Sequence, residues 1–233
     1  MASCASMPDI IASNLDKIRN RVQSACLKAG RPADAAQIVA VSKFHPQESV
    51  EAALKAGQRL FGENRVQEAS SKFPALRDAF PDVKLHIIGG LQTNKALDAC
   101  RIADVIETLD RTALSVALEK AAQKLGNLPK LYIQINTGNE PQKFGTPRDQ
   151  SDAFIEESLK RFGDSVQGIM CIPPEDESPA AHFQFLAQLA KRHGLSTLSM
   201  GMSSDFEIAI AEGATHVRVG SAIFGSRPVT QIE

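Results

Sequence analysis

Short apolar segments alternate with segments of helical periodicity along almost the whole chain, and this alternation limits the folds open to it. The apolar segments are bounded by turn residues, as expected of strands buried on both faces of a sheet. The predicted strands are residues 38–42, 59–63, 84–89, 104–108, 131–136, 166–172, 197–202 and 216–220. Several intervening helical segments end on glycine, which is preferred just after a helix C-terminus; these are Gly57, Gly126, Gly194 and Gly213. The pattern predicts an α/β fold with a parallel sheet covered by helices.

The number of predicted strands, eight, favours closure of the sheet into a single-domain (β/α)₈ TIM barrel. An amphipathic segment from about Pro8 to Ala29 precedes the first strand, and we expect it to form an extra N-terminal helix that covers the barrel. An open doubly wound sheet is the alternative, but it would be expected to carry an early glycine-rich phosphate loop, and neither GxGxxG nor GxxxxGK[ST] occurs. No Gly/Ser/Pro-rich linker interrupts the chain, so we predict one domain over residues 1–233, with residues 1–7 disordered.

Composition argues against several classes of partner. A formal net charge of −1, a single tyrosine and no tryptophan give no support to nucleic-acid binding. No apolar run approaches the roughly 18 residues of a membrane span, and the first residues lack the layout of a signal peptide. The four cysteines lie far apart with no CxxC pair, which fits a thiol-reducing compartment. We therefore expect a cytoplasmic protein with no nucleic-acid or membrane partner.

The first predicted strand leads directly into Lys43, where the apolar run IVAVS gives way to a lysine. Lysine is costly to bury without a partner or a function. The ordinary explanation is that its stem lies along the strand while its ammonium group reaches water. In a TIM barrel, however, binding and catalytic groups gather at the C-terminal ends of the strands. Lys43 is therefore a candidate functional residue.

Two segments near the end of the chain carry the small and hydroxyl residues expected of a phosphate site. GMSSD (201–205) belongs to the end of the seventh predicted strand, and GSAIFGS (220–226) follows Arg218 on the eighth. Phosphate commonly binds at these two barrel positions, because backbone N–H groups and hydroxyls can donate to its oxygens. Taken singly, Ser203 could be only a helix cap and Gly220 only a turn. A lysine facing a phosphate site suggests a Schiff base with an aldehyde phosphate, of which pyridoxal 5′-phosphate is the obvious one.

Five motifs together resemble the pyridoxal phosphate homeostasis (YggS/PROSC-type) proteins. The motifs are AVSKFHP, FGENRVQE, HIIGGLQTNK, GIMCIP and LSMGMSSDFEIAIAEGATHVRVGSAIFG, in this order within residues 38–227. That family is similar to the barrel domain of alanine racemase, the type III fold of pyridoxal phosphate proteins, without the β-rich second domain. The resemblance implies the same barrel here, and we expect no second domain after it.

The resemblance also implies a role for each motif residue. The residues assigned to the cofactor are Lys43, Asn64, His86, Met200, Ser203, Arg218, Gly220 and Ser221. Lys43 is expected to hold the cofactor covalently as a Schiff base, and Ser203, Gly220 and Ser221 to hold its phosphate. Arg218 is expected to face the pyridine nitrogen, and Asn64 the ring or its lysine. His86 and Met200 are expected to line the same mouth.

Two functions of different classes fit this resemblance. One is a non-catalytic, monomeric carrier that binds pyridoxal phosphate, buffers the aldehyde and passes it to apo-enzymes; the other is an enzyme such as an amino-acid racemase. Chemistry at the α-carbon needs a second acid or base, which the racemases take from a tyrosine delivered with their β-rich domain. The only tyrosine here, Tyr132, lies within a predicted strand. Arg218 stays protonated and keeps the pyridine nitrogen unprotonated, which weakens the ring as an electron sink. We therefore predict a carrier without robust catalysis.

Other chemistries receive little support from the sequence. The five histidines show neither HxxxH nor HExxH spacing, so we predict no metal site. The residues around Met200 form no GxSxG elbow, which disfavours a serine hydrolase. The acidic stretch PPEDES (173–178) fits a solvated loop better than a catalytic pair of carboxylates.

Overall fold

In the computed structural model, which describes residues 6–226, parallel strands close into a barrel. The strands are β1 (Gln37–Val41), β2 (Leu60–Glu63), β3 (Lys84–Ile87), β4 (Val105–Leu109), β5 (Lys130–Asn136), β6 (Thr146–Pro147), β7 (Val166–Cys171), β8 (Thr197–Ser199) and β9 (His216–Val219). The two-residue β6 pairs only with β5, and the other strands form the barrel, which is closed by the pairing of β9 with β1. Each predicted strand overlaps an observed barrel strand, so the predicted barrel is confirmed; β6 was not predicted.

Helices surround the barrel on its outer side. Within the described residues they are α1 (Met7–Lys28), α2 (Gln47–Lys55), α3 (Val66–Ala79), α4 (Ala96–Ile102), α5 (Thr112–Leu125), α6 (Ser151–Phe162), α7 (Pro179–Arg192), α8 (Phe206–Ala211) and α9 (Ser221–Phe224). The four glycines predicted at helix ends all have positive φ, between 67° and 105°, as that position requires. No helix of residues 6–226 has both the length and the apolar character needed to cross a membrane.

The predicted N-terminal helix is present as α1. Its first turn is fixed by a capping box in which Ser6 and Asp9 each accept a hydrogen bond from the other's backbone N–H. One face of α1 is buried and packs against α2, α8 and α9. Because α8 and α9 have only six and four residues, α1 supplies cover that these short helices cannot. Of the residues expected to be disordered, 1–5 lie outside the described part, while Ser6 and Met7 begin this helix.

The apolar core lies between the strands and the helices, whereas the inside of the barrel is largely polar. Side chains alternate along a strand, so Val217 and Val219 of β9 join the apolar cluster, and Arg218 between them faces the barrel interior. Glu107 and Ser199 are also fully buried inside the barrel. TIM barrels are usually filled by branched apolar side chains, so this polar interior points to a function.

Candidate functional site

Four neighbouring strands bring the predicted cofactor residues to one end of the barrel. The strand order β8, β9, β1, β2 is continuous, so the loops that follow these strands are adjacent at the C-terminal mouth. Ser203 follows β8, Gly220 and Ser221 follow β9, Lys43 follows β1, and Asn64 follows β2. The packing is close, because a Cβ on Gly220 would lie 3.3 Å from the carbonyl oxygen of Val41. The structure thus gathers five of the eight predicted residues at this mouth.

Lys43 lies, half-buried, in a tight turn just after β1. The next residue, Phe44, has φ 67°, a left-handed conformation that is uncommon for any residue other than glycine. Its backbone N–H donates a 2.6 Å hydrogen bond to Glu68 of α3, and the N–H of His45 donates to the carbonyl oxygen of Ser42. Such strain persists only where the surroundings enforce it, and it often accompanies a functional residue.

A buried lysine on α3, Lys72, holds this turn from behind. Its ammonium group donates to the carbonyl oxygens of Ser42 and His45 at 3.0 and 2.9 Å. It also donates to the carboxylates of Glu63 and Glu68, both at 2.8 Å. Burial raises the pKa of Glu63, and the Lys72 and Ser42 hydrogen bonds oppose that rise. Glu63, Glu68 and Lys72 were not predicted, although a glutamate closing an apolar strand was a visible signal.

Arg218, on β9, is buried in the barrel interior. Its guanidinium group donates to the Ser199 hydroxyl at 2.7 Å and to the Cys171 carbonyl oxygen at 2.8 Å. The Ser199 hydroxyl in turn donates to Glu107 at 2.5 Å, and the nearest Arg218–Glu107 distance is 4.0 Å. A guanidinium group has five N–H donors, so Arg218 retains donors for a further acceptor.

The polar chain continues from Glu107 to His86, whose Nδ1 lies 2.6 Å from the carboxylate. Burial alone would raise the pKa of Glu107, but the His86 hydrogen bond and the nearby charges lower it overall. The carboxylate can therefore only accept, and Nδ1 carries the shared proton. Glu107 and Ser199 were not predicted. Each is a polar residue within a buried strand, but their contact joins positions 92 residues apart, which the sequence does not reveal.

The structure corrects the predicted position of His86. Its ring packs against Tyr132 and His216 near the N-terminal ends of the strands. The cause is strand register, because His86 is paired with Val105, the first residue of β4. His86 therefore lies away from the mouth and is linked to Arg218 only through Glu107 and Ser199.

Met200 also differs from its predicted position. Ser199 faces the barrel interior, so the next residue points outward. The Met200 side chain is completely buried in the apolar core cluster, and its backbone N–H donates to the His216 carbonyl oxygen at 3.1 Å. Met200 therefore supports the end of β8 and does not line the mouth.

The two small-residue loops form one side of the mouth. After β8 the chain turns sharply at Gly201, which has φ 91° and where a Cβ would lie 2.5 Å from the Cβ of Ala209. The N-cap of α8 is Asp205, not Ser203, and its carboxylate accepts the Met202 N–H at 2.6 Å. After β9, Gly220 is the N-cap of α9 and Ser221 its first residue. N–H groups at a helix start lack acceptors within the helix, so they are available to an anion.

The loop between β5 and β6 forms another side of the mouth. Phe144 in this loop is exposed, and its ring lies over Gly90, where a Cβ would come within 2.6 Å of it. The loop is held by Asp110, whose carboxylate accepts the Gly145 N–H and whose carbonyl oxygen accepts the Thr146 hydroxyl. Across residues 6–226, no three or more His, Cys, Asp or Glu side chains are placed to bind a metal ion.

Comparison with known proteins gives consistent matches. The family described as alanine racemase, N-terminal domain, matches residues 13–228. A pyridoxal phosphate homeostasis protein of Aquifex aeolicus is 37% identical over 222 residues, which are 91% of this chain and 96% of the relative. PipY of Synechococcus elongatus, solved with pyridoxal phosphate bound, is 37% identical with a TM-score of 0.78, over 92% of this chain and all of PipY. An alanine racemase of Clostridium difficile, 16% identical with a TM-score of 0.73, shares the fold over 97% of this chain and 59% of the racemase.

Proposed function

This chain belongs to the family of pyridoxal phosphate homeostasis proteins, and we propose that it binds pyridoxal 5′-phosphate covalently at Lys43. The observation that carries the proposal is a buried cation beneath a mouth with two small-residue loops. Arg218 has donors to spare inside the barrel, and the loops after β8 and β9 lie beside the turn that holds Lys43. The PipY structure with pyridoxal phosphate bound supports this ligand.

Lys43 is the proposed attachment point because its turn is both at the mouth and held in place. Pyridoxal phosphate supplies an aldehyde, which condenses with a lysine amine to a Schiff base. The hydrogen bonds from Phe44 to Glu68 and from Lys72 to Ser42 fix the backbone on either side of Lys43. A fixed backbone lowers the entropy lost when the amine is brought to the aldehyde.

The phosphate is assigned to Ser203, Gly220 and Ser221. These residues lie on adjacent loops at the barrel positions where phosphate commonly binds. The N–H groups that begin α9 and the two serine hydroxyls offer several donors, and hydrogen bonds to a charged group are the strong ones. Asn64, on the opposite side of Lys43, is the proposed neighbour of the ring or of the lysine.

We infer a carrier that maintains and delivers the cofactor to apo-enzymes in the cytoplasm, acting as a monomer without robust catalysis. Arg218 can only donate to the pyridine nitrogen, so it keeps that nitrogen unprotonated and disfavours carbanion chemistry. The position of Tyr132 supports this view, because its ring lies with His86 and His216 toward the strand starts. The relatives that share most of this chain's length are named for homeostasis.

Borohydride reduction tests the attachment. The full chain is incubated with pyridoxal phosphate, reduced and digested, and the modified peptide is identified by mass spectrometry. We expect one modified residue, Lys43, and loss of that modification in Lys43→Ala. Lys95→Ala is the matched control, since Lys95 follows β3 on another side of the barrel, and it should keep the modification. Modification of Lys95 or Lys143 in the unchanged chain would contradict the assignment.

A transfer experiment separates the carrier from an enzyme. The loaded protein is mixed with an apo pyridoxal phosphate enzyme, and separately with L-alanine in deuterated water. We expect stoichiometric recovery of the apo-enzyme's activity and no α-hydrogen exchange beyond that caused by the cofactor alone. Saturable exchange that disappears in Lys43→Ala would replace the carrier by an enzyme.

A further inference from the structure

The end of the barrel opposite the mouth contains a cavity of about 290 Å³. It lies among the first residues of several strands, and we refer to it as the N-terminal cavity. The residues that give it its chemistry are Lys84, His86, Asp104, Lys130, Tyr132 and His216. The site proposed for pyridoxal phosphate uses none of these residues directly. A barrel end without a function would be expected to be filled by packed side chains, so a polar cavity there requires an explanation.

Three aromatic side chains meet in the N-terminal cavity. The ring centroids of His86, Tyr132 and His216 are 5.9 to 6.1 Å from one another, so the rings form a nearly equilateral triangle. His86 and Tyr132 are only 3% and 4% exposed. Each of these rings carries polar atoms, which are the groups that a ligand in the N-terminal cavity would meet.

Each ring keeps a polar atom that no group within residues 6–226 satisfies. Nδ1 of His86 is engaged by Glu107, and Nδ1 of His216 lies 3.0 Å from the Thr215 hydroxyl, so Nε2 is the nitrogen left on each imidazole. Within residues 6–226 the Tyr132 hydroxyl makes no hydrogen bond to protein. All three residues line the N-terminal cavity, so a ligand bound there would meet imidazole and phenol groups.

The charge around the N-terminal cavity is positive. Asp104 is neutralised, since its carboxylate binds Arg77 at 2.6 Å, Lys84 at 3.3 Å and the Leu85 N–H. Glu107, on the inner side, is likewise bound by His86 and Ser199 and lies 4.0 Å from Arg218. Among the described residues Lys130 has no carboxylate partner and stands at the rim. Lysines of this kind attract anions.

We propose that the N-terminal cavity binds a hydrogen phosphate group, either as inorganic phosphate or as part of a small phosphate monoester. Lys130 and the Tyr132 hydroxyl donate to the anionic oxygens. The P–OH of hydrogen phosphate donates to a neutral imidazole Nε2, which sulfate, having no proton at neutral pH, cannot do. The volume of about 290 Å³ leaves space beyond a phosphate for water or for a short organic chain.

The state of His216 agrees with this donor and acceptor pattern. Burial, together with the charges of His86, Arg218 and Lys130, lowers the pKa of His216 to about 4 against the opposing influence of Glu107. His216 is therefore neutral near pH 7 and has an acceptor to offer.

A titration followed by NMR tests the proposal. The full chain is labelled so that the histidine ring signals are resolved, and it is measured with and without pyridoxal phosphate so that binding at the mouth is recognised. Inorganic phosphate, glycerol 3-phosphate and sulfate are added separately at constant ionic strength. We expect saturable shifts of the His216 ring signals with phosphate or the monoester at pH 6, where inorganic phosphate and about half of the monoester keep a P–OH. Sulfate has no such proton at this pH, and we expect it to bind about tenfold or more weakly. Whichever of inorganic phosphate and glycerol 3-phosphate binds with the higher affinity identifies the source of the phosphate group.

Two variants locate the site. Tyr132→Phe keeps the ring and removes the hydroxyl, and Lys130→Gln removes a charge at the surface; each should weaken phosphate binding by about tenfold or more. Lys124→Gln, at an exposed lysine of α5, is the matched control and should bind as the unchanged chain does. Shifts that never saturate, equal binding of sulfate, or unchanged affinity in both cavity variants would each overturn the proposal. None of these outcomes bears on Lys43, because the mouth is at the other end of the barrel.

Discussion

At the C-terminal end of the barrel the ammonium group of Lys72 lies within 3.0 Å of four acceptor oxygens. At the N-terminal end three rings meet, and each keeps a polar atom that bonds to no protein group within residues 6–226. These contacts of Lys72 hold the turn around Lys43, and Glu63 Oε2 is a buried oxygen with no hydrogen-bond partner among the described residues. The first arrangement fixes a backbone, while the second leaves room for a partner from solution. The difference shows that buried polar residues in one barrel can hold the backbone at one end and form a binding site at the other.

The two ends are nevertheless joined through the barrel interior. His86 contacts Glu107, Glu107 accepts from Ser199, and Ser199 accepts from Arg218. All four side chains are 4% exposed or less. The orientation of Arg218 beneath the mouth therefore depends on a chain of hydrogen bonds that begins beside the N-terminal cavity. Buried networks of this kind are sensitive to the loss of any member.

The largest effect is expected for Lys72→Met, which removes the cation from the cluster behind Lys43. Glu63 is fully buried, so losing its partner leaves an uncompensated carboxylate or forces it to bind a proton. The free energy of unfolding should fall by about 3–5 kcal/mol, measured by urea denaturation. Lys55→Met is the control, because the ion pair of Lys55 with Glu51 is exposed, and it should cost about 0.5 kcal/mol or less.

A double variant sharpens this result. Glu63→Gln combined with Lys72→Met removes both charges, and replacing both partners of a buried pair is much less costly than removing one. The double variant should therefore be more stable than Lys72→Met alone. Equal losses for Lys72→Met and Lys55→Met would mean that the cluster does not hold the turn.

At the other end, the pH dependence of stability depends on His216. Its pKa is lowered to about 4 in the folded chain, against about 6.5 when unfolded. As the pH falls from 6.5 to 4, the unfolded chain binds a proton that the folded chain does not, so the folded chain loses stability across this window. At about 1.4 kcal/mol per pKa unit the loss reaches about 3 kcal/mol.

His216→Gln measures that contribution directly. In the variant the loss is absent, so its free energy of unfolding should fall by about 3 kcal/mol less than that of the unchanged chain between pH 6.5 and 4. Denaturation at a series of pH values without phosphate provides the comparison. Parallel curves for the two proteins would show that His216 is not held neutral by its surroundings.

Much of this organisation could be predicted from the sequence because it is local. Strand positions follow from apolar runs. The five-residue run IVAVS directly before Lys43 was enough to predict that this lysine lies at a strand end. The predicted strand 197–202 ended early, at Ser199, because Gly201 takes a positive φ that no strand accommodates. It was harder to predict which side chains face the barrel interior, since this depends on the register between strands that are distant in sequence. The resemblance placed His86 and Met200 at the mouth, whereas the register places His86 near the strand starts and Met200 in the apolar core.

The assignment of roles came mainly from resemblance. Spacing alone left Lys43 between a solvated strand end and a functional amine, and left Ser203 between a cap and a phosphate ligand. For Ser203 the structure rules out the role of helix cap, because Asp205 is the N-cap of α8. The Glu107 network could not be found from sequence, since its members lie on β3, β4, β8 and β9 and meet only when the barrel closes.

The smallest effect is expected for Tyr132→Phe, and its contrast with Ser199→Ala tests the comparison of the two ends most finely. Ser199→Ala removes a hydroxyl that bonds both Glu107 and Arg218, so it should cost about 1–3 kcal/mol of the free energy of unfolding. Tyr132→Phe removes a hydroxyl that has no hydrogen-bond partner within residues 6–226. It should therefore change that free energy by less than about 0.5 kcal/mol, or raise it. Both are measured by urea denaturation in phosphate-free buffer. If added phosphate stabilises the unchanged chain but not Tyr132→Phe, the hydroxyl serves binding. If Tyr132→Phe instead lowers the free energy of unfolding as much as Ser199→Ala does, the hydroxyl has a structural role. The polar residues at the N-terminal end would then stabilise the fold, as those at the C-terminal end do.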